Sequence, residues 1–114
     1  MQNWRIKKMK DGEIKENIKA CNKFLRVYKE GKYIKEFYCL FCDIAWKFHP
    51  KSGSRCDYCV WEILEEEGCE DFSQRKFEVD VADAKQKKKW HEIRIPMLKR
   101  WRKILKAELL RRKL

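Results

Sequence analysis

At 114 residues the chain has room for one small domain, or for one module with helical extensions. Charged residues make up 41% of it and the net charge is +11, a balance that favours an anionic partner. No apolar run approaches the roughly 20 residues that a membrane-spanning helix requires, so none is expected. The excess charge is local. Residues 85–114 carry thirteen basic side chains against Glu92 and Glu108, residues 57–83 sum to −8, and residues 1–56 sum to +8. Such asymmetry points to a directed electrostatic partner more than to general solubility.

In chain order, the opening MQNWRIKKMKDGE holds no apolar signal segment, which predicts a cytoplasmic protein with reduced cysteines. Asp11-Gly12 then precedes Ile14, Ile18, Cys21, Leu25 and Tyr28, whose steps of four, three, four and three predict an amphipathic helix of about 17 residues. Asp11 is its expected N-cap and Gly31 its stop. Cys21 lies on the apolar stripe and is expected as a buried small hydrophobe rather than a ligand.

Lys32 to Tyr38, rich in aromatic and β-branched residues, predicts a strand leading into the first cysteine pair. Ile44, Trp46 and Phe48 alternate with Ala45, Lys47 and His49, the period of a half-buried strand. Pro50-Lys51-Ser52-Gly53 supplies the turn of a hairpin, with a short return through Ser54 and Arg55. Asp57 can cap a helix of about ten residues that Gly68 ends, with Val60, Trp61, Ile63 and Leu64 on one side and Glu62, Glu65 and Glu66 on another.

Phe77, Val79 and Val81 alternate as a short strand, and Lys85 to Lys89 reads as a solvated linker. From Ile95, with Pro96 in the first turn where it is tolerated, a helix runs to the C-terminal end. Met97, Leu98, Trp101, Ile104, Leu105 and Leu109 share one arc of it, and Lys99, Arg100, Arg102, Lys103, Lys106, Arg111 and Lys113 fill the opposite half. The expected organisation is an N-terminal helix (1–31), a four-cysteine module (32–71), a connector that passes from acidic to basic (72–92) and a basic helix (93–114), all in one compact domain.

The chemistry-bearing motif is Cys39, Cys42, Cys56 and Cys59, a C-x2-C pair, a gap of thirteen and a second C-x2-C pair. That spacing reads as one tetrahedral Zn²⁺ site, and four thiolates close the shell with no position left for substrate. Six cysteines also permit three disulfides, an alternative that the expected reducing compartment disfavours. The zinc is therefore expected to be structural, a staple for a chain of this size.

Two knuckle thiolates, a hairpin, and a second pair whose last cysteine opens a helix: residues 37–67 resemble a treble-clef zinc finger. The resemblance implies an α+β fold, a small treble-clef-like zinc module flanked by the two helices. Asp43 stands where family knuckles commonly carry Gly. In DNA-reading members of that class the helix after the second pair is basic, whereas here it holds Glu62, Glu65, Glu66 and Glu67, so the resemblance does not bring a DNA-reading helix with it. A looser likeness, to short cysteine-rich phage and mobile-element proteins, rests on the four cysteines with Trp61, Gly68, Cys69 and the stretch Leu98 to Lys103. It implies a viral origin and no mechanism, and it marks Cys69 as an alternative metal ligand.

Catalysis finds little support. His49 and His91 are the only histidines, and an HNH-like nuclease needs a general-base histidine with further His or Asn ligands for a catalytic metal. His49 is expected at the surface or packed on the knuckle. The basic helix offers more. Lys87, Lys88, Lys89, Lys99, Arg100, Arg102, Lys103, Lys106, Arg111 and Lys113 are the candidate nucleic-acid contacts, and Trp101 is expected in the core or an interface. Three other uses of the helix stand beside this one: a merely solvated face, an anionic membrane surface, and docking on the acidic residues 57–83 or on a partner protein. The expectation is a non-catalytic, zinc-stabilised DNA- or RNA-binding or regulatory protein; the alternative is a protein-interaction module or homodimer that uses the same helix.

Overall fold

A computed structural model describes residues 4–30, 40–51, 58–65 and 84–114. Among them every regular element is a helix: α1 (Trp4–Lys7), α2 (Asp11–Lys29), α3 (Leu40–Phe48), α4 (Val60–Glu65) and α5 (Ala84–Lys113). The expected α+β treble-clef module is thereby corrected to a helical arrangement, because the residues assigned to the first strand of its hairpin form α3. The strands expected at 32–38, 54–55 and 77–81 lie outside the described residues.

The reason α3 is a helix is visible once Phe41 joins the pattern. Alternation would turn Trp46 inward and Ala45 outward; instead Ala45 is buried and Trp46 is 48% exposed. Phe41, Ile44, Ala45 and Phe48 follow the one, four, five, eight order of a helical face. That apolar stripe stabilises more by burial than the short strand alternation does.

α2 begins one residue after Lys10, so Asp11 is its first residue and not its cap. The Lys10 backbone N–H donates instead to Glu13 Oε1 at 3.3 Å, the reach-back half of a capping box, and Asp11 favours the positive end of the helix dipole. Ile14, Cys21 and Tyr28 are buried, as the spacing predicts, Ile18 and Leu25 of the same stripe are half-buried, and Phe24, outside the expected stripe, is buried too; the helix closes with the Glu30 N–H donating to the Arg26 carbonyl. Burial pushes the Cys21 thiol up to about 12, with the nearby Arg102 charge opposing. This thiol is inert packing.

α5 packs chiefly along α2 in antiparallel sense: Arg102 meets Asn22 and Arg112 meets Asp11. α3 also lies antiparallel to α2, with Phe41 stacked on Phe24 at 5.5 Å and Lys47 paired with Glu16 at 2.6 Å. The core closes where Phe41 meets the edge of Trp101 at 5.3 Å, in T-shaped geometry. Trp101 is fully buried with Met97, Leu98 and Leu105, whereas Ile104, expected on the same arc, is 37% exposed.

Two expectations about α5 are corrected. Residues 85–89 belong to the helix and not to a linker, and Pro96 sits well inside it rather than in its first turn. Proline removes one N–H and so leaves the Glu92 carbonyl without its intrahelical bond, a loss that is mild here because Glu92 and Pro96 are both exposed to water. Among the described residues no helix is long and apolar enough to cross a membrane.

Candidate nucleic-acid interface

The candidate contacts on α5 divide by chemistry. Arg100 pairs with Glu65 of α4, whose Oε1 also accepts from Trp101 Nε1 at 2.6 Å. Arg102 Nη1 donates to Asn22 Oδ1 at 2.9 Å. Arg111 holds both Glu108 oxygens, at 2.7 and 2.9 Å. Arg112, outside the expected set, reaches Asp11 at 2.7 Å, Glu108 at 3.1 Å and the carbonyls of Ile6 and Lys7. Arg94 is buried as well.

Lys99, Lys103, Lys106 and Lys113 behave differently. All four are exposed, and no ion pair or hydrogen bond holds them among the described residues. Their spacing of four, three and seven aligns them in one row along the helix. Lys87, Lys88 and Lys89 fall in the first two turns of α5, where the structure describes the backbone alone. A second row was missed in the sequence: Lys15, Lys19 and Arg26 are exposed on α2, and Asn22, the acceptor of Arg102, stands between Lys19 and Arg26 in register. The same helical period that marks the apolar stripe of α2 carries the signal for this row.

Among the described residues the basic helix meets the acidic segment at Glu65. Glu108, the buried acid of α5, is drawn well below the ordinary 4.5, to about 2, first by its hydrogen bond from Arg111 and then by Arg112, while its burial pushes the other way.

Of the expected zinc ligands, Cys42 is half-buried as the third residue of α3, and Cys59 is fully buried immediately before α4. The Cys59 carbonyl accepts from the Ile63 N–H at 3.0 Å and closes the first turn of α4. Cys39, Cys56 and Cys69 lie outside the described residues. Among the described residues no three His, Cys, Asp or Glu side chains come together to hold a metal. In sequence Cys39 directly precedes α3 and Cys59 directly precedes α4, and a C-x2-C pair is a donor set that suits zinc.

A further cluster was not foreseen. His49, just past α3, sits with Nε2 3.0 Å from Glu13 Oε2, and its ring stacks on Tyr58 at 3.7 Å and 13°. Glu13 is 1% exposed. These groups border a cleft of about 490 Å³ together with Arg5 and Lys8 from the first helix and its turn. Nothing in the sequence signals a contact between residues 36 positions apart. Comparison with family models, curated proteins and solved structures found no match to the chain.

Proposed function

We propose that this is a non-catalytic nucleic-acid-binding protein that lays the outer faces of α5 and α2 along a phosphate backbone. The observation that carries the reading is the sorting of cations on α5. Arginines, whose planar forks suit fixed bidentate contacts, are paired with groups of the protein itself, Arg100 and Arg111 from the surface, while Lys99, Lys103, Lys106 and Lys113 stand in an exposed row. Lysine binds phosphate as a point charge and releases counterions, so the affinity is electrostatic and carries little base information.

The test is a salt titration of DNA and RNA binding. Affinity should fall steeply with salt, and the joint change Lys99→Gln, Lys103→Gln, Lys106→Gln should reduce the log–log slope by roughly 2 to 3 on duplex DNA. Its melting temperature should stay at the wild-type value, because the three side chains are exposed. Absence of binding at about 50 mM salt, or binding insensitive to salt, would defeat the proposal. The rival partner, an acidic protein surface, predicts that polyglutamate competes as well as nucleic acid does.

The reading includes one structural zinc on Cys39, Cys42, Cys56 and Cys59, bracing the starts of α3 and α4, with Cys69 as an alternative ligand. When bound, the ion would supply folding energy and no chemistry, since four thiolates leave no open position. Metal analysis of the purified chain should return one zinc per molecule, and chelation should lower the melting temperature. A ratio near zero would remove the metal from the proposal.

A further inference from the structure

We infer that the basic surface is built for duplex DNA, with the phosphates of one strand on the α5 row and those of the other on the α2 row, an assignment that rests on the proposed nucleic-acid binding and names its ligand.

The two rows are joined at their middles. Asn22 follows Lys19 by three residues and precedes Arg26 by four, and Arg102 stands in the same relation to Lys99 and Lys106. On a helix those intervals make direct neighbours. The exposed bond from Arg102 Nη1 to Asn22 Oδ1, 2.9 Å long, therefore has two cations beside each of its ends. α2 and α5 run antiparallel, with Arg112 on Asp11, so Lys106 stands across from Lys19 and Lys99 across from Arg26. All four are exposed, and no ion pair or hydrogen bond holds their side chains among the described residues.

The spacing fits two strands better than one. Seven residues separate the two cations of each pair along its helix, about 10.5 Å, and helices in contact lie about 8–10 Å apart. The four charges mark a square about 10 Å on a side. Duplex DNA presents a phosphate per about 1.7 Å of axis, so about six over that length, shared between its strands. Its grooves, about 6 and 12 Å wide, bracket the distance between the rows, and the flexible stem of lysine takes up the difference. A single strand carries its phosphates on one thread and follows one row, leaving the other idle. In A-form RNA the major groove is narrow and the minor groove wide and shallow, so its strand edges lie closer or farther apart than the rows. Among the described residues this face also has no stacking platform. Proteins that hold single strands add one, whereas Phe24, Tyr28 and Trp101 of these two helices are buried.

Fluorescence anisotropy of the full chain tests this with a labelled DNA duplex of about 20 base pairs, its separated strand and the RNA duplex of the same sequence, at about 100 mM salt. The DNA duplex should bind about tenfold or more tightly than the strand, and more tightly than the RNA duplex. The joint change Lys15→Gln, Lys19→Gln, Arg26→Gln on α2 should lower the log–log salt slope on the DNA duplex by about 2–3, as the triple change on α5 does. Asn22→Asp keeps an acceptor for Arg102 but sets a carboxylate at the centre of the square, and should weaken duplex binding about fivefold or more. Equal affinity for strand and duplex, preference for the RNA duplex, an unaltered slope in a folded α2 variant, or undiminished binding by a folded Asn22→Asp protein would each overturn the assignment. In those cases a salt slope that still falls with the α5 triple change leaves the broader nucleic-acid reading standing. Absence of binding to all three probes would remove both.

Discussion

The two sides of α5 carry similar cationic charge and do opposite work. On the side turned to the protein, Arg94, Arg100, Arg102 and Arg112 are buried or bonded to α2, α4 and the C-terminal end of α1. On the other side the lysines project into water without a fixed contact among the described residues. Net charge alone therefore overstates what an external partner meets. Part of it is structural cement, and the cation type tells which part, because a guanidinium loses less freedom per hydrogen bond and is more weakly hydrated than an ammonium.

The comparison can be broken most forcefully at the side chain that the inner side is built around. Trp101→Ala removes the edge contact to Phe41 and the hydrogen bond to Glu65, and should cost about 3–5 kcal/mol in denaturant unfolding. Arg112→Ala takes a donor from Asp11, Glu108 and the Lys7 carbonyl, while the Ile6 carbonyl keeps the Met9 N–H, and should cost on the order of 1–3 kcal/mol; Lys106→Ala, on the outer side, should stay within about 0.5 kcal/mol. Equal costs for the two changes would erase the distinction.

Acid sharpens the same contrast. Glu108 has a folded value of about 2, below its ordinary 4.5, so the folded state favours the ionised form. Its contribution to stability is complete above the unfolded value and is lost as pH falls from about 4.5 toward 2. Glu108→Gln should thus melt lower than wild type at pH 7 and converge with it near pH 2, followed by circular dichroism. The smallest effect is chemical. Cys21, with its thiol at about 12, should resist a thiol reagent in the native state and react only on unfolding, whatever is done to the outer lysines.

α2 was legible because its apolar steps persist from Ile14 to Tyr28, long enough for a helical period to be unambiguous. Trp101 was legible as a core residue for the same reason. α3 was not: nine residues rich in apolar side chains satisfy two periods at once, and only the partners Phe24 and Trp101 decide between them. Pro96 misplaced the start of α5 because a proline favours a first turn but is tolerated elsewhere when its freed carbonyl meets water. The lysine row was readable from spacing. Its separation from the arginines was not, since Glu65, Asn22 and Asp11 come from two other helices, and neither was the Glu13–His49 pair, whose members approach only when α3 folds back on α2.

The bond of Arg112 to the Ile6 carbonyl ties positions 106 residues apart. In synthesis α2 precedes α5, the helix that packs most extensively along it, so a chain that stops between them leaves the stripe of Ile14, Cys21, Phe24 and Tyr28 uncovered on that side.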